Sequence, residues 1–86
     1  MPTIETAIRG SKAAASEAKL TAPLEMSDLR ETYHGPGRFF LCMRGLEPKS
    51  NRTVTYAVFF DNNDYKGSRL PAILDECEKQ SYPPLP

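Results

Sequence analysis

Eighty-six residues leave room for one small domain with a thin hydrophobic core. A hydrophobic fraction of 40% and a charged fraction of 26% are those of an ordinary folded chain, not a disordered one. Eleven basic side chains cancel eleven acidic ones, which excludes a polybasic nucleic-acid binder and an acidic nucleic-acid mimic.

Residues 1–20 read as a flexible N-terminal arm. Alanine, lysine and glutamate between Ser11 and Leu20 favour helix intrinsically, but the apolar face is almost all alanine and offers little burial. The same stretch lacks a secretory apolar region, and Glu5 and Glu17 break the acid-poor pattern of a transit peptide. No window reaches the ~18–20 apolar residues of a membrane span. Cytoplasmic residence, with Cys42 and Cys77 reduced and no membrane partner, is the expectation.

Residues 21–34 read as a helix. Thr21 is an N-cap, Pro23 falls in the first turn, and Met26, Leu29 and Tyr33 make an apolar stripe. His34 sits at its last turn, where a cation complements the helix dipole, and Gly35-Pro36 ends it. Two strands follow, residues 38–44 and 53–60, joined by a longer loop rich in turn residues. Pairing Leu41 with Tyr56 aligns Phe39 with Val58 and Met43 with Val54, which fixes the core face. The stretch 61–69, DNNDYKGSR, reads as turn and loop throughout. Ser68 then caps a last helix whose stripe is Leu70, Ile73, Leu74 and Cys77. A proline-rich tail closes the chain; YPPL looks like a short adaptor-binding motif, but Tyr82 and Leu85 are taken to pack on the core.

The expected fold is therefore α+β: a small two-layer domain, helix–β-hairpin–helix, over residues 21–86 behind the flexible arm 1–20. Both helices lie on one face of the hairpin. The other face carries Phe40 and Phe59 among arginines and threonines, and a homodimer partner or a foreign protein is expected to cover it.

Nothing here assembles a catalytic centre. Two cysteines and one histidine are too few for a four-ligand zinc site, and they show no Cys–His spacing signature. On the expected register Cys42 lies on the outer face and Cys77 on the inner one, which disfavours a bond between them. Asp61 and Asp64 lack the glycine and bidentate glutamate of a calcium loop. The expectation is no catalytic residue, no metal and no cofactor. Function is then association with a protein, of adaptor or inhibitor type, through Arg38, Phe40, Arg44 and Phe59. The alternative is a nucleic-acid-binding module using Arg38, Phe40, Arg44, Arg52 and Arg69. Residues 35–69 carry a local +3, and arginines beside exposed aromatics track phosphates and stack bases. The net charge of zero disfavours it.

Overall fold

The computed structural model describes residues 1–33 and 35–85. Within residues 1–20 the chain forms a helix, α1 (Ile4–Glu17), in place of a flexible arm. Thr3 caps it, its hydroxyl accepting from the Thr6 amide at 3.1 Å. At the other end Lys19 turns left-handed (φ 58°), and the Leu20 amide donates back to the Ala15 carbonyl at 2.8 Å. Its buried face is Ala7, Gly10, Ser11, Ala14 and Ala15. Those small residues give little area each but let the helix lie close on a sheet, so neighbours on both sides supply the burial.

That sheet has five antiparallel strands: β1 (Thr21–Met26), β2 (Arg30–Glu31), β3 (Phe39–Glu47), β4 (Arg52–Asp61) and β5 (Asp64–Arg69). The order is β1-β3-β4-β5, with β2 continuing the β1 edge along β3. The α+β class therefore stands, as one helix on a five-stranded sheet.

The hairpin of β3 and β4 forms as the alternation predicts, but its register differs by two residues. Leu41 faces Val58, Phe39 faces Phe60 and Met43 faces Tyr56. A two-residue shift preserves the faces, because side chains alternate with period two. The turn decides it. The Asn51 amide donates to the Glu47 carbonyl at 2.8 Å and Asn51 adopts φ 57°, so the ladder runs on to Glu47 and Arg52.

Residues 21–33 are strand and loop, not helix. Three apolar positions in eight residues are a weak helical signal, and this segment supplies the ladder partner for β3 that the hairpin itself lacks on that side. Between β1 and β2 the ladder is bridged by Ser27. Its amide donates to the Cys42 carbonyl at 2.7 Å, and its hydroxyl accepts from the Cys42 amide at 2.8 Å. The reading of His34 as a helix end lies outside the described residues.

After β4 a two-residue turn at Asn62-Asn63, with Asn62 at φ 53°, leads straight into β5. The stretch expected to be loop is thus a third full strand, bulged where Gly67 takes φ 110°. Among the described residues no last α-helix follows. Residues 70–85 run as an extended strap with two single 3₁₀ turns, Ile73–Asp75 and Cys77–Lys79, separated by left-handed Glu76.

The core has two halves. Phe39, Leu41, Met43, Val58 and Phe60 meet α1 on one face of the sheet. Phe40, Cys42, Ala57 and Phe59 meet Cys77 and Tyr82 of the strap on the other. The architecture is helix, sheet, strap. Among the described residues no helix is long and apolar enough to cross a membrane.

Candidate functional site

The outer face of the hairpin is where sequence reasoning looked for function, and it is covered. Phe40 is 3% exposed and Phe59 is fully buried, their rings stacked with centroids 5.8 Å apart. The cover is the chain's own strap, so no second copy is needed to shield them. Their rings offer no face to a base or a foreign side chain.

Three tethers hold the strap down. The first is a disulfide between Cys42, in the middle of β3, and Cys77, with Cα atoms 5.6 Å apart. This corrects the expectation of two reduced thiols on opposite faces. Cys42 does point outward from the sheet, but Cys77 belongs to a strap laid over that face, not to a helix on the inner one.

The second tether is Asp75, 1% exposed. Its carboxylate accepts from Arg69 Nη1 at 2.9 Å and from the Ala72 amide at 2.8 Å, and its carbonyl accepts from Arg30. The two arginines bracket the aromatic pair: Arg30 lies 4.5 Å from the Phe40 ring centre and Arg69 4.8 Å from that of Phe59. Cation, ring, ring, cation form one stack, with Asp75 joining its two ends.

The third tether is the tail. Tyr82 donates from its hydroxyl to the Cys77 carbonyl at 2.7 Å, and Arg44 lies 3.9 Å over its ring. Burial pushes the Tyr82 phenol up, against the opposing pull of Arg44 and Arg30. Beyond it the Met26 amide donates to Pro83 and the Leu85 amide to Leu24, so the tail adds a bridge to β1.

The remaining predicted residues are spread out. Arg38 is exposed before β3, and Arg52 is exposed at the start of β4. Arg44 is half-buried and paired with Glu25 at 2.9 Å. Arg69 belongs to the Asp75 pair. Asp61 and Asp64 face each other across the β4–β5 turn. The structure thus brings Phe40, Phe59 and Arg69 together and leaves Arg38 and Arg52 apart from them. Tyr82 and Leu85 pack on the core as expected, whereas Arg30 and Asp75 were missed. Their roles depend on a strap crossing the sheet, which no local spacing announces.

The first part of the strap presents apolar side chains outward, and Glu76, Glu78 and Lys79 follow as exposed charges. Leu70 is 65% exposed, Ile73 90% and Leu74 67%. They form a crest on the short loop that the Arg69–Asp75 pair closes, just ahead of the disulfide. Beside it runs a groove of about 420 Å³, walled by Arg44, Thr55, Pro71, Cys77 and Tyr82. Comparison with known protein families, with curated proteins and with solved structures finds no match.

Proposed function

We propose that this protein is non-catalytic and acts by associating with another protein, as an adaptor or inhibitor does, through the crest of its strap. The observation carrying this reading is the exposure of Leu70, Ile73 and Leu74 together on a segment tied at both ends. Large apolar side chains gathered on a surface mark contact sites. A segment already ordered also loses less freedom on binding than a loose loop does. The crest replaces Phe40 and Phe59 as the anchor, because both rings are interior. Cytoplasmic residence was expected because no targeting segment was read in the sequence, with both thiols reduced as its consequence. The joined cysteines favour the opposite, and an oxidising compartment is the proposed place of work.

The test is a capture from the native organism, read by mass spectrometry, with the wild-type protein and an Ile73→Asp/Leu74→Asp variant. One protein held by the wild type and lost at least tenfold by the variant is expected, as for truncated interface anchors worth about 1.4 kcal/mol or more. Equal capture by both overturns the crest. No specific capture by either overturns association.

A further inference from the structure

The disulfide is not symmetric in its surroundings. Both half-cystines are buried, Cys42 at 0% and Cys77 at 4% exposure, but Cys77 lines the groove beside the strap and Cys42 does not. The groove therefore brings a thiol to the bridge from the Cys77 side. On the far side, Arg30 Nη2 lies 3.6 Å from the Cys42 sulfur. A disulfide sulfur is a poor acceptor, and Arg30 Nε is buried with no acceptor among the described residues. While the bridge is closed the guanidinium is held by the Asp75 carbonyl and the Phe40 ring, with Nε to spare, and a thiolate on Cys42 would give it a charged acceptor.

We propose that Cys42–Cys77 is a thiol–disulfide exchange site, in which an external thiol attacks Cys77, Cys42 leaves beside Arg30, and the strap opens over the outer face of the sheet. In the first step a thiolate RS⁻ bonds to the Cys77 sulfur, and the bridge electrons depart with Cys42 as its thiolate. In the second step another RSH, losing its proton to solvent, attacks the R sulfur of the mixed disulfide. That releases the Cys77 thiolate and RSSR. Two thiols are oxidised, one disulfide is reduced, and two protons pass to solvent or to the new thiolates. The attacking class is any small or protein-borne thiol able to enter the groove.

Position and charge both favour this direction. Exchange is faster when the leaving thiol is the more acidic, and a neighbouring arginine makes it so. Among the described residues, Arg30 from β2 touches the Cys42 sulfur, and the Arg44–Glu25 and Arg69–Asp75 pairs lie on the same side of the sheet. Asp75 is engaged by Arg69 and leaves Arg30 as the charge on the Cys42 sulfur. Loss of the bond frees the Cys77–Lys79 turn and the carbonyl that holds Tyr82. The Arg69–Asp75 pair and the tail bridge to β1 remain as a hinge.

The oxidised full-length chain would be treated with glutathione, quenched with N-ethylmaleimide and mapped by mass spectrometry. Glutathione on Cys77 with maleimide on Cys42 is expected; the reverse pattern overturns the proposal. Reduction of Arg30→Gln should be slower by about three- to tenfold, and Arg30→Lys should recover most of the rate. A purely structural Arg30 predicts the opposite, since losing its hold on Asp75 would loosen the strap and speed reduction. An equal or faster rate in Arg30→Gln therefore overturns the electrostatic role. Hydrogen exchange on the reduced wild type is the arm that needs no variant. Amides 76–82 should lose protection while β3 and β4 keep theirs. Loss across the whole sheet would make the bond a plain structural staple and end the proposal.

Discussion

At Gly10 a Cβ would stand 2.3 Å from Cε2 of Phe60 and 2.5 Å from its Cζ. Phe60 is fully buried and has no room to swing aside. The helix sits as close as it does because this position has no side chain. Alanine there gains about 1 kcal/mol of helix propensity but meets a packing penalty of roughly 1–3 kcal/mol. Gly10→Ala is therefore expected to lower stability by about 1 kcal/mol, read as a fall in the urea midpoint at unchanged slope. A raised midpoint would mean that Phe60 yields. The same residues explain why α1 is illegible as a packed element. Alanine, serine and glycine look like a face with nothing to bury, until a sheet with large side chains is known to lie beneath it. The sequence shows the knobs of Phe39, Leu41 and Phe60 but not which segment is flat enough to receive them.

Among the elements, the β3–β4 hairpin was readable because apolar side chains alternate through residues 38–44 and 53–60, most of each strand. The strap was not. Leu70, Ile73, Leu74 and Cys77 imitate a helix stripe, yet the first three face solvent and only Cys77 turns inward. What selects the extended path is long-range: one covalent bond, one buried carboxylate and two arginines from other strands. Asp75 is the test of that statement. In Asp75→Asn the shape is kept, but the charge that pairs with Arg69 is lost and an amide donor faces existing donors. Hydrogen bonds to a charged, buried acceptor contribute about 1.5–3 kcal/mol, so a loss of roughly 2 kcal/mol is expected. Faster hydrogen exchange confined to residues 72–79 should accompany it. Exchange that rises equally in β4 and in the strap would place the effect elsewhere.

For the whole molecule, two tyrosines report on the two layers. Tyr65 donates to Glu17 on α1 at 2.7 Å, and Tyr82 lies in the strap on the other face. Both phenols are pushed above the usual tyrosine range, first by burial and, for Tyr65, also by its bond to the Glu17 carboxylate. The unfolded chain then loses these protons first. Above pH ~10 the unfolded state binds fewer protons than the folded one, so stability falls as pH rises through the folded values and is fully present below pH ~10. Denaturant midpoints measured from pH 8 to 11 should show this decline, and Tyr65→Phe should flatten part of it. A flat profile in the wild type would contradict the burial of both rings. The candidate site was legible only in part for the same reason: Phe40, Phe59 and Arg69 were singled out as a face, but whether a face is surface or interior depends on where the last sixteen or so residues travel, and local patterns carry no such information.

The tail's bridge to β1 also governs what the sheet is unable to do. Amides of Met26 and Leu85 close the pairing on either side of Glu25 and Pro84. In such a bridge the backbone of the central residue points away, toward any strand arriving from outside. That residue is Pro84, which has no hydrogen to offer, and Pro83 beside it has none either. An incoming strand would find no donor at Pro84, the centre of that margin. At the opposite margin, the Gly67 bulge and the Lys66 side chain on β5 interrupt a flat template. Along β1 and β5 the borders of the sheet are finished, which works against growth, strand by strand, into a polymer of the molecule itself.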